Sequence, residues 1–175
     1  QAWELVTLIE EAGSDYVGAT IDSGTLTLDE VEVPTPGPGD VPYAASTGIR
    51  DAMVWEYEDG AVVRWTAIGE GGVDFKAYMK LFAELCPRVP IQLEIISKYA
   101  RQLPYLKRDF WKPYRKARAH EFARFLALAK KGKPIPPHKI PAGGDRKKAQ
   151  QEFQKSELER SIRYCKEVLG LGRKT

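Results

Sequence analysis

Val17-Gly18-Ala19-Thr20-Ile21-Asp22, Ala44-Ala45-Ser46-Thr47-Gly48-Ile49-Arg50-Asp51 and Val89-Pro90-Ile91-Gln92-Leu93-Glu94 are three short apolar runs, each closed by charged residues. Strands of a parallel sheet are buried on both faces and read as near-continuous apolar stretches, so a charged side chain belongs where the strand leaves the core, at its carboxyl end. Three such strands bring Asp22, Arg50 with Asp51, and Glu94 to one rim. The reading is an α/β fold with its site at the carboxyl ends of parallel strands.

The segments between the runs support alternation of helix and strand. Trp3 to Ala12 places Leu5, Leu8, Ile9 and Ala12 on one helical face, and Gly13-Ser14-Asp15 stops that helix before the first strand. After Asp22, a stretch with Pro34, Pro36, Pro38 and Pro42 cannot be helical, because each proline removes a backbone donor, and it is read as a loop. Asp59-Gly60 between two β-prone runs predicts a hairpin with those two residues at the centre of its turn. Asp74 is placed as the N-cap of a helix burying Phe75, Tyr78, Phe82 and Leu85, which ends at Pro87. The third strand is expected over Val89–Ile96, followed by a polar, aromatic loop holding Lys98, Tyr99, Arg101, Tyr105, Phe110 and Trp111. A helix carrying Phe122, Phe125, Leu126 and Ala129 then ends at Gly132. Residues 133–145 read as a linker rich in proline and glycine, and 146–175 as a terminal helix with Leu158, Ile162, Cys165 and Leu169 on one stripe, packing on the rest or on a partner.

Composition sets the outer bounds. The chain has 175 residues, 43% hydrophobic and 29% charged, enough apolar material for a core and incompatible with wholesale disorder. No apolar run approaches the ~18 residues that span a bilayer, so no membrane partner is expected. Net charge is only +3 with acidic residues interleaved, and no nucleic-acid partner is expected either. Cys86 and Cys165 lack metal-ligand spacing and fit reduced thiols in a cytoplasmic protein. The chain begins at Gln1 rather than Met, which predicts a start inside a longer reading frame.

Taken in order, Val17-Gly18-Ala19-Thr20-Ile21-Asp22-Ser23-Gly24, Thr47-Gly48-Ile49-Arg50-Asp51, Ile68-Gly69-Glu70-Gly71-Gly72-Val73-Asp74-Phe75 and Gln92-Leu93-Glu94-Ile95-Ile96 resemble the last three βα units of the sugar phosphate isomerase/epimerase family, which shares the xylose-isomerase-like TIM barrel. The resemblance covers Trp3 to Lys131. It implies a partial (β/α)8 barrel, residues 1–132, with a carboxyl-terminal helical extension, since a whole barrel takes ~250 residues and eight strands. It also implies a divalent-metal-assisted proton transfer next to a carbonyl of a sugar or polyol. Asp22 and Glu94 match two of the family's metal ligands, and Arg50 and Asp51 match the basic residue and Asp that follow its metal-binding His. Gly48 stands where that His would be. With two carboxylates and no imidazole, Mn2+ or Mg2+ is the expected cofactor, weakly held or absent in this chain alone.

The expected roles follow from that resemblance. Glu94 is the candidate general base and Arg50 the substrate contact, with Asp51, Lys98 and Arg101 as weaker substrate contacts. Arg50 pairing with Asp51 or Glu70 at the rim is the alternative. Gly69-Glu70-Gly71-Gly72 lacks the Lys-Ser/Thr ending of a phosphate loop and reads as a tight turn, with Glu70 free to point into the site. His120 and His138 lie away from every strand end, so neither is read as a base or ligand, and a nuclease with a histidine cluster is disfavoured. The missing barrel wall is expected from an amino-terminal half or a second copy. The competing reading is a non-catalytic barrel module acting in assembly, with Gly48 marking a lost metal site.

Overall fold

The computed structural model describes residues 2–13, 16–23, 43–96, 99–139 and 145–172; the proline-rich loop expected after Asp22 and Lys98 lie outside them. The order is α1 (Ala2–Ala12), β1 (Ala19–Asp22), β2 (Ala44–Gly48), β3 (Asp51–Tyr57), β4 (Gly60–Thr66), α2 (Phe75–Leu85), β5 (Ala100–Leu103), a 3-10 turn (Arg108–Trp111), α3 (Ala119–Lys131) and α4 (Arg146–Glu167). The fold is mixed α/β, with four α-helices, two small sheets and no closed barrel among the described residues.

The first sheet is parallel. β1 aligns with β2, placing Ile21 opposite Thr47 and Asp22 opposite Gly48. The third apolar run joins beyond β2 through a single parallel bridge, Ile49 to Leu93, in which Ile49 N donates to Gln92 O at 2.7 Å and Glu94 N donates to Ile49 O at 2.9 Å. The strand expected over Val89–Ile96 is therefore reduced to one bridge. Pro90 has no N–H to offer a ladder, and Thr47 takes over: its hydroxyl donates to Pro90 O at 2.9 Å and accepts from Gln92 N at 2.8 Å.

The second sheet is antiparallel, in the order β3-β4-β5. The hairpin forms, but Tyr57 pairs with Gly60, so Glu58-Asp59 make the turn instead of Asp59-Gly60. Gly60 serves a close approach: a Cβ there would stand 2.1 Å from Leu103 O on β5. Residues 100–103, expected in a loop, pair with Ala61–Arg64 because β4 offers them an open edge.

Two apolar clusters hold these layers. Ala52, Val54, Ala61, Val63, Trp65 and Leu103 present one face of the antiparallel sheet to Phe125 and Ala129 of α3. Ile49 and Ile68 meet Phe75, Tyr78, Met79 and Phe82 of α2 and Cys165 of α4. Asp74 caps α2, its Oδ1 accepting from Ala77 N at 3.1 Å. Among the described side chains of α1 only Ile9 is buried, while Leu8 is 61% exposed and Leu5 is exposed as well. On α4 Cys165 is buried and Leu169 packs beside the same cluster as expected, but toward the amino end Glu157 and Ser161 are buried in place of Leu158 and Ile162, which are exposed. The shift arises because Ser161 Oγ accepts from Ile68 N at 3.0 Å and donates to Glu157 O at 2.7 Å, turning the helix to meet a buried backbone donor.

Phe125 has no exposed surface. Phe125→Ala should cost about 3–5 kcal/mol in urea unfolding, whereas Leu8→Ser should change stability by less than about 0.5 kcal/mol.

Candidate active site at the strand ends

The chain leaves β2 through Ile49 and Arg50 and enters β3 at Asp51, so consecutive side chains point to opposite sides of an extended backbone. Arg50 turns to the rim. Its Nη2 pairs with Asp22 Oδ2, its Nε donates to Asp22 Oδ1 at 3.0 Å, and the same Nε lies 3.6 Å from Glu94 Oε2. Asp22 ends β1, and Glu94 follows the bridge residue Leu93, so carboxylates from two parallel segments, one paired with β2 and one bridged to Ile49 just after it, converge on one guanidinium. Ser23 clamps the arrangement, its hydroxyl accepting from Arg50 N at 3.1 Å and donating to Arg50 O at 2.8 Å.

The two carboxylates differ in access. The Asp22 and Arg50 side chains are 17% and 18% exposed, whereas that of Glu94 is 52% exposed. A partly desolvated, bidentate Asp22–Arg50 pair is rigid and strong relative to surface ion pairs. Glu94 is the group with room to take a proton from an incoming molecule. Gly48 lies beside it: a Cβ at position 48 would stand 3.0 Å from Glu94 Oε2.

Asp51 goes the other way. It is 1% exposed, and its carboxylate accepts from Ala52 N at 2.8 Å, Gly69 N and Gly71 N at 2.9 Å each, and Val73 N at 3.3 Å. Burial pushes its pKa up, while those four backbone donors pull against that rise. Asp51 thus shapes the 69–73 turn. Gly69 adopts φ 87°, and a Cβ on Gly71 would collide with Asp51 Oδ1.

Of the remaining candidates, Arg101 sits exposed on β5 opposite Val63, in the other sheet, rather than in a loop after the last parallel strand. Glu70 does not join the rim, because Arg160 of α4 takes it with Nε at 2.6 Å from Oε1 and Nη2 at 3.3 Å from Oε2. Trp55 and Trp65 of the hairpin are buried as packing. The Asp22–Arg50 partnership, the Ser23 clamp and the backbone role of Asp51 were not read from sequence. Ser23 carried a signal only as the start of a turn, and pairing between distant strands has none without a register.

No family model, curated protein or solved structure is significantly similar to this chain.

Asp51→Asn replaces an acceptor oxygen with a donor facing backbone N–H groups and should destabilise by about 1–3 kcal/mol. Because the folded pKa of Asp51 is raised, the folded chain holds that proton more tightly than the unfolded one. Its contribution to stability therefore falls as pH rises from the usual carboxylate value through the raised one, a slope that urea titrations should lose in the Asn variant. Separately, Gly48→His adds an imidazole beside Glu94, whose flexible end can shift to admit it. Calorimetry should then detect saturable Mn2+ binding that is stronger than in the parent chain, and an unchanged titration would remove Glu94 as a ligand.

Proposed function

We propose that the rim formed by Asp22, Arg50 and Glu94 belongs to a sugar (phosphate) isomerase/epimerase-like enzyme that moves a proton next to the carbonyl of a sugar or polyol. The observation that carries this reading is the convergence of Asp22 and Glu94 on Arg50 from the parallel segments paired with β2 and with Ile49 just after it. Glu94, the exposed carboxylate, removes the proton from the carbon beside the carbonyl; the C–H electron pair forms the enediolate and its charge develops on the carbonyl oxygen. Arg50, held in place by Asp22 and Ser23, donates to that oxygen and stabilises it. Return of the proton to the former carbonyl carbon, with the neighbouring hydroxyl proton passing to the former carbonyl oxygen, gives isomerisation; epimerisation takes a proton on the opposite face from an acid of the completing half while Glu94 keeps the one it removed.

Asp22 and Glu94 are also the residues that would hold Mn2+ or Mg2+, which would supply a Lewis acid at the same oxygen. The donor set present does not fit a resident ion. Arg50 stands against both carboxylates, and among the described residues no three His, Cys, Asp or Glu side chains gather to hold a metal. The proposed chemistry therefore runs through Arg50.

The same reading makes the described fold the carboxyl-terminal part of a barrel, completed by an amino-terminal half or a second copy. Its support is the unpaired outer edge of β1 among the described residues and the exposed Leu5, Leu8, Tyr16 and Val17 beside it in the chain. No described helix is long and apolar enough to cross a membrane. Cys86 and Cys165 are buried free thiols whose pKa values burial raises, which supports a reducing, cytoplasmic setting as part of the proposal.

A second reading, a non-catalytic module used in assembly, is favoured by Gly48 and by the contact of Arg50 with both rim carboxylates. Proton NMR in D2O separates the two. Ketopentoses, ketohexoses and their phosphates incubated with the chain should take up deuterium beside the carbonyl, and Glu94→Gln should slow this by about 10²–10⁴-fold with an unchanged melting temperature. Absence of exchange, or equal exchange in the variant, leaves the module.

A further inference from the structure

The face of β4 turned away from Phe125 carries Arg64 and Thr66, two residues apart and so on one side of the strand. The segment 133–139 runs along this face, tied to it by Arg64 Nη1 donating to Ile135 O at 2.6 Å. α4 supplies another wall through Phe153, whose ring stacks on His138 with centroids 3.8 Å apart and planes 21° apart. Between these elements lies a cavity of about 450 Å3, within the size range of small-molecule sites. It shares no residue with the Asp22–Arg50–Glu94 rim.

The polar atoms at the cavity's β4 wall are incompletely used. Thr66 is only 8% exposed, yet its Oγ1 has no hydrogen-bond partner, and the Nε of Arg64 is likewise buried and without one. A buried donor left in that state is destabilising, and an oxygen-bearing ligand relieves both. The second guanidinium of the cavity, Arg160, is already committed to Glu70 and to Ser156 Oγ at 2.7 Å. Arg64 is therefore the cation available to a ligand. Two carboxylates, Glu70 and Glu157, also line the cavity and face Arg160, while the remaining surfaces are flat and largely apolar, made by Pro136, Pro137 and the His138–Phe153 stack.

We infer that this cavity binds a small aromatic carboxylic acid, its carboxylate on Arg64 and Thr66 and its ring against the prolines and the His138–Phe153 stack. The planar fork of Arg64 matches a carboxylate, and the stacked rings favour a flat body over a puckered one. Occupancy ties segment 133–139 to β4 and α4 together.

Benzoate is the probe, with cyclohexanecarboxylate testing flatness and benzyl alcohol testing charge. Calorimetry on the full chain should give one saturable site with a dissociation constant of about 0.1–1 mM, and both comparators should bind at least about tenfold more weakly. Trypsin cleavage after Lys139, which is followed by Ile140 and not by proline as Lys133 is, should slow in saturating benzoate. Arg64→Gln tests the fork but also cuts the tie to Ile135. Thr66→Val removes only the unpartnered hydroxyl, so it should weaken benzoate about tenfold while leaving the urea midpoint unchanged or higher. No saturable heat up to about 10 mM, equal binding of benzyl alcohol, or unchanged affinity in Thr66→Val would overturn the site. Each of these readouts is independent of exchange at the strand ends.

Discussion

Everything at the rim rests on the carboxylate of Asp51 and the four backbone N–H groups it gathers. That carboxylate ties the first residue of β3 to the 69–73 turn, and the turn in turn delivers Asp74 to cap α2. Its neighbour Arg50 faces the other way because alternation along an extended chain leaves no other choice. One dipeptide therefore joins the two sheets and separates two tasks: Asp51 organises backbone, and Arg50 collects carboxylates. A carboxylate with several backbone donors has strict geometry, so the position of Arg50 is inherited from the position of Asp51.

α4 makes this arrangement continuous with the carboxyl-terminal region. Ser161 answers the backbone N–H of Ile68, Arg160 holds Glu70, and Cys165 enters the cluster formed by Ile49, Phe75 and Phe82. Glu70 is withdrawn from the strand ends by that contact. The helix behaves as part of the core, and its polar contacts specify its rotation where a purely apolar stripe would have left it loosely set.

Where local chemistry dominates, the sequence was readable. Asp59-Gly60 between two β-prone runs announced a hairpin, Asp74 announced a cap, and the apolar runs ending in Asp22 and Arg50 announced parallel strands. Where a distant partner sets the outcome, local sequence pattern does not decide it. Gly60 looked like a turn residue but yields to the approach of β5, and Ala100–Leu103 looked like loop because their strand character comes only from the edge of β4. Leu158 and Ile162 looked buried by periodicity, yet the hydroxyl of Ser161 rotates the helix away from them. At the rim, the gathering of Asp22, Arg50 and Glu94 was legible from strand ends, whereas the choice of Asp22 as the main partner of Arg50 depends on the register of β1 against β2.

Gly132 ends α3 directly over the outer edge of β3, so close that a Cβ would overlap the carbonyl of Val54, while two residues earlier the carbonyl of Ala52 accepts from Gly72 N at 2.8 Å. The outward carbonyls of Ala52 and Val54 are thereby shielded by the molecule's own backbone. Any side chain at position 132 would lift the helix terminus and uncover a template for strand addition. A residue with no chemistry of its own thus acts as a guard against filament growth at the β3 edge of the antiparallel sheet.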